Sequence, residues 1–162
     1  MEANIDWTSF KRRIHIAKPK EEIFRAWASQ KGLEAWFLEK AGFEKADGSK
    51  RDQEQLCEEG DSFSWKWHNW PHHEEGKILE SNGKDRLVFT FGLGGEVLVE
   101  LKDSPYGVEV ALTQYQIATD EKSKMDYYVG CQGGWTFWMA NLKAWLEHGI
   151  TLNITGLSQE ET

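Results

Sequence analysis

The stretch "GWTFWMANLKAWLEHGI", residues 134–150, decides the fold because it predicts a long amphipathic helix near the end of the chain. Its large apolar residues recur at α-helical intervals. Gly149 suits the position just past a helix end, and Asn141, Lys143 and Glu147 are expected to face away from the stripe. The stripe consists of Trp135, Trp138, Met139, Leu142, Trp145 and Leu146. Such a helix needs an apolar surface to cover.

Upstream of this helix, alternating apolar and polar residues predict a sheet of about six or seven strands. The clearest segments are "FKRRIHI" at 10–16 and "SFSWKWH" at 62–68, because neighbouring side chains of a strand point to opposite faces. Short connections between the segments favour antiparallel pairing. Further alternating segments lie at roughly 74–80, 86–91, 96–101 and 108–115.

Two short helices are predicted between the first strand and the rest of the sheet. "PKEEIFRAWA" at 19–28 has helical spacing, and Ser29 can cap a second helix that carries Leu33, Trp36 and Phe37. The polar stretch "ATDEKSKMD" at 118–126 is expected to be a connection. The fold class is therefore α+β, a curved antiparallel sheet with the last helix across its apolar face, and such a pairing readily leaves a hollow.

Composition limits the partners that the chain can have. The 162 residues fit one domain, with a core over about 10–150. A net charge of −8 has the wrong sign for nucleic acid or an anionic membrane surface. Since no segment at the N-terminus resembles a signal peptide, we expect a cytoplasmic protein with Cys57 and Cys131 reduced.

The interior aromatic residues are the candidate ligand-binding residues. We expect them to border a cavity between sheet and helix, although a solid aromatic core would give the same pattern. Several buried indole N–H groups would be easier to satisfy beside a ligand or trapped water. The candidates are Trp65, Trp67, Phe89, Phe91, Trp135, Trp138, Met139 and Leu142.

Two polar residues share the inward phase of their strands. Gln114 continues the phase of Val108, Val110 and Leu112, so it lies either at the pocket wall or at a strand end that reaches solvent. Arg12 could pair with an acidic group of a ligand, or its guanidinium could extend outward to water. Both are included as candidate ligand-binding residues.

The sequence favours neither a catalytic nor a metal site. His68, His72 and His73 surround Trp70-Pro71 without the spacing of a metal site, and a solvated turn explains them better. Cys131 at the start of the last helix could gain thiolate character, but no histidine accompanies it in sequence. We predict no catalytic residue, no metal and no cofactor.

Longer segments resemble a known family. "IHIAKPKEEIFRAWASQKGLEAWF", "GDSFSWKW", "RLVFTF" and the closing "GWTFWMANLKAWLEHGI" are similar to bacterial homologues of the activator of the heat-shock protein 90 ATPase, in the START-like or SRPBCC superfamily. The most specific matches are Gly134-Trp135, Asn141-Leu142-Lys143, Leu146-Glu147, Gly32-Leu33 and Trp36-Phe37. The resemblance implies a helix-grip fold of Bet v 1 type whose interior commonly holds a hydrophobic molecule.

Three functions follow from these expectations. The favoured one is binding of a lipid, polyketide or aromatic compound without catalysis. A cyclase or hydrolase on the same scaffold would need buried polar groups with perturbed pKa values in the cavity. A co-chaperone of heat-shock protein 90 is the role that the family name implies. A monomer or a homodimer is compatible with each of them.

Overall fold

The computed structural model describes residues 3–157, and this part of the chain contains seven strands and four α-helical segments, one helical segment more than the sequence predicts. The strands are β1 Phe10–Ile16, β2 Phe43–Glu44, β3 Ser62–Lys66, β4 His73–Ser81, β5 Arg86–Thr90, β6 Glu96–Ser104 and β7 Gly107–Tyr115. The helices are α1 Lys20–Ala28, α2 Gln30–Trp36, α3 Glu121–Ser123 and α4 Gly130–His148. A 3₁₀ turn, Gly92–Gly94, joins β5 to β6.

The strands form one antiparallel sheet in the order β1-β7-β6-β5-β4-β3-β2. The first strand pairs with the last over its whole length, from Phe10 opposite Gln114 to Ile16 opposite Val108. A register shift between Ile78 and Glu80 interrupts the β4–β5 ladder, and such bulges bend a sheet locally. The predicted α+β helix-grip fold is confirmed.

The inner face of the sheet and α4 share one hydrophobic core. Phe89, Val99 and Leu112 of the sheet are buried in the same cluster as Trp135 and Leu142 of the helix. The short helices contribute to the same core, since Trp27 of α1 and Leu33 of α2 are buried in it. The Ser29 hydroxyl accepts from the Gly32 amide at 3.1 Å and caps α2 as expected. The apolar helix stripe and the apolar strand phases thus cover each other.

The polar stretch at 118–126 was expected to be a connection, and this prediction is wrong for residues 121–126. Residues 121–148 are helical throughout, with α3 followed by a π-helical turn, Lys124–Val129, that runs directly into α4. The Asp120 carboxylate begins the helix by accepting from the Ser123 amide at 3.0 Å. Because this first part lies at the surface, it lacks the apolar stripe that marks a packed helix.

The expected orientation of α4 also needs two corrections. Asn141, predicted to face away, is fully buried, whereas Trp145, predicted within the stripe, is 37% exposed. The contact face is centred on Trp135, Met139 and Leu142, so residues on the Asn141 side turn inward. Asn141 is tolerated there because its side chain bonds the Trp36 carbonyl and the Leu152 amide.

Candidate functional site

The aromatic residues that the sequence singles out come together under α4. Trp65 of β3 contacts Phe89 of β5 with ring centroids 5.1 Å apart, and Phe91 contacts Trp135 of α4 at 5.5 Å. Phe37, just after α2, lies at the centre of this group. It contacts rings from both sides at 5.3–6.0 Å, namely Trp65, Trp67, Trp135 and Trp138. We call these seven rings the aromatic layer: Phe37, Trp65, Trp67, Phe89, Phe91, Trp135 and Trp138.

The aromatic layer is buried at one end and open at the other. Trp65, Phe89 and Trp135 are almost completely buried, as are the predicted residues Met139 and Leu142. Trp67, Phe91 and Trp138 are only half-buried. These three rings form the margin at which the layer meets solvent, and we call them the aromatic margin.

Phe37 escaped the sequence-based site prediction. Its phase on the short second helix already placed it in the core, but no periodicity indicated that it would face β3 and α4 together. It follows the last residue of α2 and stacks on Trp36 with ring centroids 4.9 Å apart. Its position depends on how α2 packs against the sheet, which is a tertiary property.

Gln114 joins the aromatic layer to the β5–β6 turn. Its side-chain oxygen accepts from Trp135 Nε1 at 2.9 Å, and its side-chain nitrogen donates to the Gly94 carbonyl at 2.9 Å. The side chain is fully buried, so the solvent-facing alternative is wrong. Gln114 is a core residue whose side-chain oxygen and nitrogen both already have hydrogen-bond partners.

Arg12 is not brought to the aromatic layer. It lies on β1, and four strands separate β1 from β3 in the sheet. Its half-buried guanidinium donates to the Gln132 side chain of α4 and to the Lys11 carbonyl. Any role of Arg12 toward a ligand would therefore be separate from the rings around Trp65.

Two tryptophans of the interior keep an unsatisfied donor. The indole nitrogens of Trp27 and Trp65 are buried and have no hydrogen-bond acceptor within residues 3–157. Other buried indoles are satisfied, since Trp36 donates to the Ala26 carbonyl at 2.9 Å and Trp135 donates to Gln114. A buried donor without an acceptor costs about 1–3 kcal/mol. These two N–H groups are therefore exceptions in a core that is otherwise well paired.

Glu74 is an acidic residue beside the aromatic layer that no periodicity in the sequence singled out. The β3–β4 register places it directly opposite Trp65, and opposite residues of an antiparallel pair share a face. The side chain is half-buried, and burial raises the pKa of its carboxyl. Within the described residues it has neither a hydrogen-bond donor nor a basic partner.

Hollows are present on the outer face of the sheet. One of about 970 Å³ lies beside β2, β3 and β4, and charged side chains such as Lys50, Arg51, Glu75 and Lys77 line it. Another of about 410 Å³ is lined by outward residues of β1, β6 and β7. Both carry charged side chains in their walls, which the aromatic interior does not.

The remaining titratable candidates form no reactive cluster. Cys131 lies inside the continuous helix, so no free helix N-terminus faces it, and burial raises the pKa of its thiol. Burial also raises the pKa of Cys57 to about 12. Over residues 3–157, no group of three or more histidine, cysteine, aspartate or glutamate side chains could hold a metal ion.

Solved structures share this fold. A protein from Staphylococcus saprophyticus is 18% identical with a TM-score of 0.71, covering 91% of this chain and 97% of its own. The Aha1 dimer from Colwellia psychrerythraea is 16% identical with a TM-score of 0.67, covering 87% and 97%. A protein in the dynemicin biosynthetic locus is 15% identical with a TM-score of 0.66, covering 89% of this chain and 49% of its own.

Comparison of the sequence with known proteins gives the family of this chain. None of the curated proteins matches this chain. Among the described residues, no helix is both long enough and apolar enough to cross a membrane. The family model "Activator of Hsp90 ATPase homolog 1-like protein" matches residues 17–147, which include both short helices, the whole sheet beyond β1 and almost all of α4. The chain therefore belongs to the activator of Hsp90 ATPase homolog 1-like family.

Proposed function

We propose that the protein binds a hydrophobic small molecule within the aromatic layer, between the sheet and α4. The observation that carries this proposal is the buried indole N–H group of Trp65, which has no acceptor within residues 3–157. The indole N–H of Trp27, whose ring lies 6.1 Å from that of Trp135 next to the layer, is also without an acceptor in this part of the chain. An apolar molecule with an acceptor oxygen would satisfy such a donor without adding charge to the core. The walls would be Trp65, Phe89, Trp135, Met139 and Leu142.

Entry of the molecule requires movement of the aromatic margin. The rings of the layer contact one another, and Phe63 stacks on Trp65 with centroids only 4.0 Å apart. Trp67, Phe91 and Trp138 are half-buried, so rotating them costs less packing than moving a core ring. The ligand would therefore replace ring–ring contacts at the margin with ring–ligand contacts.

Native mass spectrometry and tryptophan fluorescence test this proposal. We expect an organic molecule to co-purify with the protein, and we expect compounds from a panel of lipids, polyketides and aromatic molecules to change the emission. Trp138→Ala should weaken binding about tenfold or more, because a large aromatic contact is lost. If the purified protein carries nothing and no compound of the panel binds, the proposal is wrong.

Trp145→Ala provides the matched control for Trp138→Ala. Trp145 lies two turns further along α4 and is more exposed, and among the described residues no ring pair joins it to the aromatic layer. The same substitution there should leave the affinity unchanged. Equal weakening by both variants would indicate a general effect on the helix rather than a ligand contact.

A co-chaperone role is a second candidate, and the family match supports it. It makes a different prediction, because the chain would then bind a heat-shock protein 90 homologue and change its ATPase rate. The measurement is that ATPase rate with and without the protein. An unchanged rate, together with no complex in a pull-down, would exclude this role.

A further inference from the structure

The carboxyl group of Glu74 indicates which polar group the proposed ligand carries. Glu74 extends from β4 on the same side as the buried Ile78, directly across from Trp65. We propose that Glu74 binds the protonated amine of a ligand whose apolar body lies within the aromatic layer. This inference rests on the proposed function, because it names the chemical class of the molecule bound at that site.

Glu74 lacks the basic partner that comparable carboxylates of this protein have. Asp61 is buried but pairs with Arg51 through two side-chain hydrogen bonds, and Glu80 pairs with Arg86 at 2.8 Å. Within residues 3–157 no basic group contacts Glu74. A half-buried carboxylate without a donor is unfavourable, so a cation supplied from outside would be stabilised there.

The basic side chains next to Glu74 in the β3–β4 ladder, Lys66 and His73, face away from it. Lys66 and His73 are opposite one another in the β3–β4 ladder, one residue out of phase with Trp65 and Glu74, which places them on the other face. Lys66 also bonds Glu39. The charge of Glu74 is therefore left for a group that enters from the aromatic side.

The aromatic rings around Glu74 suit an ammonium group. Trp65 lies across from Glu74, and Trp67 continues the same face with its ring centroid 6.5 Å from that of Trp65. The ring of Phe91 lies 6.3 Å from that of Trp67. Aromatic faces attract cations, and a carboxylate beside them adds a charge-assisted hydrogen bond. A hydroxyl group could also donate to the carboxylate, but it carries no charge of its own for the carboxylate and the ring faces to attract.

Gly92 leaves the space that the carboxylate occupies. A Cβ atom at Gly92 would come within 2.5 Å of Glu74 Oε1, and the backbone of Gly92 has φ +52°. The carboxyl group therefore rests against the β5–β6 turn next to Phe91. This contact holds Glu74 beside the aromatic margin.

Calorimetric titration with naphthylethylamine and naphthylethanol tests the assignment, since the two probes share an apolar body and differ in the charged group. Wild-type protein should bind the amine about tenfold more tightly than the alcohol at neutral pH. Glu74→Gln should abolish this preference, because the amine loses its counter-charge and the two probes then bind with similar affinity. Glu75→Gln is the matched control, because Glu75 is exposed and lines the outer groove.

The outcomes separate this inference from the proposed function. If wild type binds both probes with equal affinity, or if Glu74→Gln keeps the preference for the amine, the role of Glu74 is wrong and hydrophobic binding stands. If neither probe binds and the broader panel also fails, the proposed function itself is wrong, and the assignment of Glu74 is overturned with it. A preference lost in Glu74→Gln and kept in Glu75→Gln supports the assignment.

Discussion

Gln114 shows how one buried amide can position several parts of the interior. Its two hydrogen bonds join β7 to α4 through Trp135 and to the β5–β6 turn through Gly94. Gly92 belongs to the same turn, and the Glu74 carboxyl group lies against it. Strand phase alone left open whether Gln114 lies inside or reaches solvent. Its hydrogen bonds place it inside, where it positions the residues around the aromatic layer.

Replacing Gln114 by leucine should reduce the free energy of unfolding by about 2–4 kcal/mol, because two buried polar groups, Trp135 Nε1 and the Gly94 carbonyl, lose their partner. Urea denaturation measures this loss. Gln53→Leu is the control, since Gln53 is exposed. A loss no larger than that of the control would show that water takes over both hydrogen bonds.

Glu74 makes a second prediction at this scale, which concerns pH. Burial raises the pKa of its carboxyl above the ordinary value of 4.5. The folded protein thus holds this proton more tightly than the unfolded chain, and stability is lost as pH rises from the unfolded pKa through the folded pKa. Without ligand, Glu74→Gln should therefore be more stable than wild type at neutral pH.

The expected gain from Glu74→Gln is at most about 1 kcal/mol, because a half-exposed carboxylate keeps part of its hydration. It should disappear as the pH falls well below 4.5, where the wild-type carboxyl is protonated in both states. Denaturation curves across this range measure the difference. A gain that stays constant with pH would contradict the assigned cause, and Glu75→Gln should show no comparable trend.

At the scale of elements, the sequence predicted most boundaries because burial imposes a period on each segment. The first strand, residues 10–16, agrees with β1 throughout, and the helix predicted from Pro19 begins one residue later. The start of the last helix was missed because residues 121–129 carry no apolar stripe. Glu74 was missed because "HHEEGK" has no large apolar residue to set the phase before Ile78.

Two glycines of the helices should respond oppositely to alanine. A Cβ at Gly32 would lie 2.2 Å from the Arg25 carbonyl oxygen, so Gly32→Ala should cost about 1–3 kcal/mol by forcing α1 and α2 apart. A Cβ at Gly133 would meet nothing within 4 Å, so Gly133→Ala should stabilise α4 by about 0.5–1 kcal/mol. Thermal denaturation of both variants checks the pair, and equal signs would contradict it.

Asn141 connects α4 to the segment after it. Its side chain accepts from the Leu152 amide at 2.5 Å and donates to the Trp36 carbonyl and to Asn153. Asn141→Leu should cost about 1–3 kcal/mol and speed hydrogen exchange at the Leu152 amide. Asn153→Ala removes only one of these bonds and should leave that amide protected. Unchanged exchange in Asn141→Leu would contradict the role of Asn141.

At the scale of the whole molecule, the two faces of the sheet differ in what they can bind. The outer face carries ion pairs such as Arg86–Glu100 and the charged hollow beside β2–β4, whereas the inner face carries the aromatic layer. Strand phase could predict which residues face inward. It could not predict where the rings touch or where hollows form, because both depend on the twist of the sheet and on the position of α2.

If a hydrophobic molecule occupies the inner face, its binding must stabilise the whole fold, because the site requires strands from the sheet together with α4. At a free concentration of 100 times Kd, linkage gives about 2.7 kcal/mol, which raises the melting temperature of a protein of this size by roughly 5–10 °C. Differential scanning calorimetry with increasing ligand should show a logarithmic rise. Trp138→Ala should need more ligand for the same shift, and Trp145→Ala should follow wild type. A shift that is equal in all three proteins would indicate that the molecule binds elsewhere, and one that saturates at low ligand would indicate that it also binds the unfolded chain.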